Sequence, residues 1–313
     1  MNPSNRTKWL NVVNWLWTVV VIAGVAWYFS KISQASIAYM KNISIFQFAL
    51  SAALLVVGKL FLAEMSRFSV LSETWKPSFG KMFHLYSTIQ LSKYLPGGVW
   101  HFVGRFGVYR VNGLDNREAG QSILVENIWL LSSALLFGGI ACATNRGLLD
   151  FIGFPSGVEL QAGLIALLLA VWVAVNLLSS RILLKRRLGG GALLRQILLQ
   201  SAVWFFIGLS FFVLLPPRIM NLESATLSTG AFAIGWALGY VTIFAPSGIG
   251  IREVVITAIL ATYILPQEAA IYAALSRLVW VVTEIGLSIF SELVFGSGSL
   301  KTLIRPKQED KTA

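Results

Sequence analysis

Two stretches of this sequence place helix-breaking residues and charge inside otherwise apolar chain. They are LSKYLPGGVWHFVGR at 91–105 and FAPSGIGIREVV at 244–255. Both contain proline, a small residue, glycine and an aliphatic residue in that order, and Pro96 and Pro246 stand 150 positions apart, one in each half. Proline removes a backbone donor and clashes with the preceding turn, and glycine reaches conformations that other residues avoid. A helix broken in this way starts again with free N–H groups and a partial positive charge, which suits phosphate or carboxylate. Lys93, Pro96, Gly97, Gly98 and Arg105 form the first candidate set, and Pro246, Gly248, Gly250, Arg252 and Glu253 the second. Paired Pro/Gly interruptions in the two halves point to a transporter's substrate site. A plain kink or loop at each place is the alternative.

More charge lies deep in apolar runs. Glu126 and Asn127 fall within 120–143, Lys59 within 45–64, and Arg277 and Glu284 within 269–294. Ionisable groups at membrane depth are costly and face a cavity or a partner. Arg277 and Glu284 are seven apart on one helical face, with Glu292 a further eight along. Arg277–Glu284 and Lys59–Glu64 are the structural ion pairs that this spacing offers. Asn176, in the fourth span, suits interhelical hydrogen bonding.

The elements that must position these residues are membrane helices. The 313 residues are 56% hydrophobic and 12% charged, against about 25% charged in a soluble domain. Apolar runs recur at 9–30, 45–64, 120–143, 161–180, 196–215, 228–244 and 269–294, each near the ~20 residues that cross a bilayer. A shorter eighth, about 250–265, follows the second break. The segments of about ten residues with alternating polarity that mark a membrane β-barrel are missing. The fold class is therefore all-α: a polytopic helical membrane protein of about eight transmembrane helices. Residues 1–300 form one integral membrane domain and 301–313 a cytoplasmic tail.

Loop charge gives the orientation. Arg181, Lys185, Arg186, Arg187 and Arg195 crowd one loop, and Lys301, Arg305, Lys307 and Lys311 the tail, whereas 144–160 and 216–227 carry one arginine each. The positive-inside rule sets both termini in the cytoplasm of a multi-pass cell membrane (plasma or inner) protein, with Lys31 and Lys41 as an exception outside. Residues 65–118 hold seven basic residues yet are strongly aromatic and apolar around 83–110. A re-entrant or interfacial helical hairpin there satisfies both composition and parity.

The net charge of +11 sits in short loops, which the positive-inside effect explains without nucleic acid. Anionic lipid is the expected electrostatic partner. One cysteine, Cys142, excludes an intrachain disulfide, and His84 and His101 are expected at the interface rather than as metal ligands. No metal, cofactor or catalytic residue is assigned. The glycines of RLGGGALLR, 187–195, are not followed by Lys-Ser/Thr, so no nucleotide loop is read there. The eleven tryptophans, Trp9, Trp15, Trp17 and Trp27 among them, suit interface belts. The run from Trp9 exceeds a signal-peptide core and reads as a retained first span.

LSKYLPGGVWHFVGRFGVYR with APSGIGIREVVI resembles the flippase-like membrane domain of lysylphosphatidylglycerol synthases, the multiple peptide resistance factors. The likeness covers roughly 10–295. Lys93, Pro96, Gly97, Gly98, Gly104 and Arg105 match the first motif, and Pro246, Gly248, Ile249, Gly250 and Glu253 the second, with Ser247 where a glycine is usual. The resemblance implies a lipid-handling membrane protein without the soluble synthase part, hence no aminoacyl transfer. The expected activity is movement of an anionic or modified phospholipid, a glycolipid or a lipid-linked precursor between leaflets. Arg105 or Arg252 would hold the headgroup phosphate, and Glu253 would orient Arg252 or answer an amine. Glu126, Arg277 and Glu284 complete the expected substrate-binding set. The alternatives are a membrane partner of a glycosyltransferase or lipid-synthesis pathway, and an intramembrane headgroup transferase using Glu253, Glu126 and His101 as acid or base.

Overall fold

A computed structural model describes residues 44–72, 75–94, 98–145, 149, 153, 157–184, 189–242 and 246–295. The expected first span, the Lys31/Lys41 loop and the tail lie outside these residues, as do Pro96 and Gly97. Among the described residues there are nine α-helices and no strand: α1 Ile45–Ser69, α2 Phe79–Gln90, α3 Trp100–Val111, α4 Asn116–Thr144, α5 Val158–Ile182, α6 Gly190–Leu214, α7 Leu222–Val241, α8 Ile251–Leu260 and α9 Pro266–Phe295. Short 3₁₀ turns at Leu91–Tyr94 and Pro246–Gly248 mark the two breaks.

Five of these helices, α1, α4, α5, α6 and α9, are long and apolar enough to cross a bilayer, which makes this an all-α membrane-embedded protein. They match the expected runs at 45–64, 120–143, 161–180, 196–215 and 269–294. The 20 residues of α7 span about 30 Å at 1.5 Å per residue, a membrane's hydrocarbon thickness. The ten residues of α8 span about 15 Å and do not cross alone, so the run at 250–265 is half a span rather than an eighth one. In the expected hairpin near 83–110, α2 and α3 have 12 residues each, about 18 Å apiece, on either side of the first break.

Local sequence sets the helix starts. Ser44 with Gln47, Asp115 with Glu118 and Asn221 with Ser224 form reciprocal capping boxes for α1, α4 and α7. Packing then follows membrane rules, in which small residues let backbones approach. A side chain at Gly58 of α1 would press on Ile207 of α6 at 3.1 Å, and beside that contact Ser51 and Ser210 exchange hydrogen bonds to each other's carbonyls at 2.7 and 2.8 Å. In α7, Gly230 meets Ala141 of α4, Gly235 meets α8 and Gly239 meets Gly248. Helix α7 is thus the post against which α4, α6 and α8 pack. Leu167, Val171, Leu178 and Ile182 of α5 stay exposed, as expected for side chains that face lipid.

The main core runs through α1, α4, α6, α7, α8 and α9. A smaller one, with Met82, Leu85, Val108, Tyr109, Leu114 and Ile123, fixes α2 and α3 onto the start of α4. Tryptophans 129, 172, 204 and 280 are buried in helix interiors. The interface-belt expectation fails for these four, because their rings fill the space between helices and Trp129, Trp172 and Trp204 hydrogen-bond to Ser179, Gln200 and Ser133.

Candidate functional site

The two breaks meet. The turn Leu91–Tyr94 touches the turn Pro246–Gly248, and Arg277 of α9 braces both. Its Nη2 donates to the Ser247 carbonyl at 3.1 Å, and its guanidinium carbon lies 5.7 Å from the Tyr94 ring centroid. Gly248 adopts φ +69°, and a Cβ there would stand 2.7 Å from the Gly239 Cα, so the second break is pressed backbone to backbone onto α7. Ser247 takes φ 55° and ψ 20°, a left-handed conformation that favours glycine.

The break offers fewer free donors than its sequence suggests. At the α8 start, Gly250 N–H donates to Glu253 Oε2 at 2.7 Å, so the helix caps itself. At the α3 start, Val99 provides no side-chain cap, and Gly98, Val99, His101 and Phe102 all line a cavity. Gly98 stands at φ +63° with open space where a Cβ would project.

That cavity, about 450 Å³, lies where α1–α4, α6–α9 and the two breaks converge. Among the described residues its lining includes four cations, Lys59, Lys93, Arg105 and Arg252, and one carboxylate, Glu126. All five are at most 8% exposed. Trp204, Trp236, Tyr240 and Phe102 form an aromatic wall. Trp236 stacks on Tyr240 at 5.0 Å, with Trp204 and Phe102 edge-on at either end. The Tyr240 hydroxyl donates to Asn127 Oδ1 at 2.8 Å, which fixes the ring.

The charges are partnered unequally. Arg105 grips both oxygens of Glu126 and also donates to Ser66 and Tyr109, so its guanidinium is largely occupied. Glu284 Oε1 accepts from Lys59 and from Lys93, each at 2.5 Å, and its Oε2 accepts from the Tyr94 hydroxyl at 2.7 Å. Glu253 faces Arg277 at 3.7 Å. Arg105 Nε and Arg277 Nη1 are buried without a hydrogen-bond partner, but each of these arginines has a carboxylate; Arg252 has two such nitrogens, Nε and Nη1, and no carboxylate within ion-pair distance among the described residues. Its guanidinium lies 5.3 Å from the Trp280 ring centroid, with Lys59 at 3.6 Å and Lys93 at 5.4 Å from the same ring. Three cations therefore surround one indole, whose own Nε1 is buried and unpartnered.

Of the sequence-predicted residues, Lys93, Gly98, Arg105, Glu126, Gly248 and Arg252 line the cavity. Glu253, Arg277 and Glu284 do not line it but hold lining residues or the breaks in place, Gly250 is exposed and donates to Glu253, and Pro246 opens the second turn. Pro96 and Gly97 lie outside the described residues. The expected Arg277–Glu284 and Lys59–Glu64 pairings are replaced by others: Glu284 pairs across elements with Lys59 and Lys93, and Glu64 pairs with Arg67 one turn along α1 and with Arg195 of α6. Glu253 turns to Gly250 and Arg277 instead of orienting Arg252. Neither histidine is interfacial: His101 lies in the cavity wall against Phe102, and the fully buried His84 has its Nε2 3.6 Å from a Glu292 carboxylate oxygen.

Lys59, Trp280 and the aromatic wall join the site only in the structure. A signal was present: Trp280 is three residues after Arg277 and four before Glu284, on one face of α9. Trp236 and Tyr240 are likewise one turn apart. Comparison with protein-family models found no match, nor did comparison with curated proteins.

Proposed function

We propose that this chain is a lipid transporter that carries a phosphate-bearing headgroup through the buried cavity while the acyl chains stay in surrounding lipid. The observation that carries this reading is the Arg252 guanidinium, 6% exposed, facing a cation-lined cavity with two nitrogens unpartnered. A buried unpaired charge is costly, and arginine's planar fork matches phosphate bidentately. The start of α3, which no side chain caps, adds the positive end of a helix to the same cavity. The aromatic wall gives the rest of the headgroup an apolar surface opposite the charges. The resemblance to the flippase-like domain points the same way, and loop charge supports a cell-membrane protein with both termini in the cytoplasm.

The geometry favours transport over headgroup transfer. The lining carboxylate, Glu126, is held at both oxygens by Arg105, and Glu253 is spent on the α8 cap and Arg277. Neither is poised as an acid or base.

The test is a flip assay in liposomes with headgroup-labelled anionic and zwitterionic phospholipids and an impermeant quencher. Wild type is expected to expose inner-leaflet label faster than protein-free vesicles, and folded Arg252→Ala to lose at least tenfold in rate. Glu253→Gln, which loosens Arg277 and the second break, is expected to slow transport less. No acceleration for any lipid, with or without an imposed ion gradient, refutes transport and favours a partner of a glycosyltransferase or lipid-synthesis enzyme.

A further inference from the structure

The buried charges around the cavity do not balance. Lys59, Lys93, Arg105, Arg252 and Arg277 face Glu126, Glu253 and Glu284. Arg105 is matched by Glu126 and Arg277 by Glu253. The two lysines share the single carboxylate of Glu284, and among the described residues Arg252 has no carboxylate within 4.0 Å. Five cations against three carboxylates leave two positive charges, one over the lysine pair and one on Arg252.

Both excess charges lie beside Trp280. With Lys59 Nζ 3.6 Å and Arg252 Cζ 5.3 Å from its centroid, the two are at most the sum of those distances, 8.9 Å, apart. A phosphate making charge-assisted hydrogen bonds of about 2.8 Å on either side reaches across that gap, and a diphosphate does so with room to spare. The unpartnered Trp280 Nε1 is a further donor in the same wall.

From this imbalance we infer that the cavity selects lipids whose headgroup carries two negative charges, a phosphomonoester or a diphosphate ester, over phosphodiester lipids that carry one. This rests on the reading that the cavity receives a lipid phosphate. A phosphomonoester carries about −1.5 to −2 charges at pH 7. In a water-poor site a dianion neutralises both the lysine pair and Arg252, whereas a phosphodiester leaves one buried charge uncompensated. A cationic headgroup adds to an excess already present.

The test is equilibrium binding to the full chain in neutral nanodiscs at pH 8, read by tryptophan fluorescence. Dioleoyl phosphatidic acid is compared with dioleoyl phosphatidylglycerol, which has the same chains and one charge fewer. Phosphatidic acid is expected to bind at least tenfold tighter. Arg252→Gln is expected to bring the ratio near one, and Arg252→Lys, which keeps the charge, to preserve the preference in a protein that elutes like wild type. Inorganic diphosphate is expected to compete only at hundredfold higher concentration. Equal affinity for the two lipids, or an unchanged ratio in a folded Arg252→Gln, overturns the dianion inference and leaves the lipid-phosphate reading standing. Binding of neither lipid overturns that reading itself, and tight diphosphate binding without lipid binding assigns the site to a soluble anion.

Discussion

The Lys59 ammonium and the Glu284 carboxylate lie 2.5 Å apart, both buried, although 225 residues separate them in sequence. Glu284 also accepts from Lys93 and Tyr94, so one carboxylate ties α1, the first break and α9 together. Removing either partner has different consequences. Glu284→Gln leaves two buried ammonium groups without a counter-charge and is expected to cost about 3–5 kcal/mol. Lys59→Met leaves Glu284 paired with Lys93 and is expected to cost about 1.5–3 kcal/mol, the range for a hydrogen bond to a charged group. Thermal unfolding in detergent measures the order. Equal losses, or the reverse order, remove Glu284 from its place as the hub.

The contact of Gly239 with Gly248 sets the depth at which the second break sits, and hence where Arg252 points. Gly248→Ala forces a side chain to 2.7 Å from a backbone atom at a positive φ. Gly250→Ala, at φ +88°, meets open space and carries only conformational strain, about 1–3 kcal/mol. Gly248→Ala is therefore expected to lose more stability than Gly250→Ala and to abolish acceleration in the flip assay. Unfolding midpoints and flip rates of the two variants, side by side, check this. A Gly248→Ala protein as stable and active as wild type contradicts the close packing.

Ser247 gives a prediction of opposite sign. Its left-handed backbone costs a non-glycine residue about 1–2 kcal/mol, and glycine removes that cost while adding about 0.5–1 kcal/mol of unfolded-state entropy. The Ser247 carbonyl that receives Arg277 belongs to the backbone and survives the change. Ser247→Gly is expected to raise the unfolding midpoint modestly, by a net gain of up to about 1.5 kcal/mol, with flip rate retained. A lower midpoint shows that the serine side chain stabilises the turn.

Element types and break positions were readable in the sequence because their signals are local. Apolar runs of fixed length, proline beside glycine and charge within a greasy stretch are each visible without a partner. Pairings were not, because they join distant segments. The seven-residue spacing of Arg277 and Glu284 suggested one ion pair, yet i,i+7 residues are two turns apart, and each finds a nearer partner on another element. The length of α8 is hidden for a related reason: hydropathy continues past Leu260, while the helix stops there in a turn at 261–264. Tryptophan had two plausible addresses, interface or core, and only tertiary packing chooses between them.

Arg105 matches a motif residue expected to hold phosphate, but its geometry is that of a structural residue. Glu126 accepts from Nη1 and Nη2, and Ser66 and Tyr109 compete for the second hydrogen of Nη2. Arg105→Met alone strands the Glu126 carboxylate in the cavity wall and is expected to destabilise by about 3–5 kcal/mol. Replacing both, Arg105→Met with Glu126→Leu, removes the stranded charge and leaves the excess of two positive charges unaltered. The double variant is expected to recover most of the lost stability, with a coupling energy of about 0.5–3 kcal/mol between the two sites, and to keep transport. A double-mutant cycle by thermal unfolding, paired with the flip assay, separates the roles. If the double variant folds normally but no longer accelerates flipping, Arg105 contacts the headgroup and shares the role assigned to Arg252.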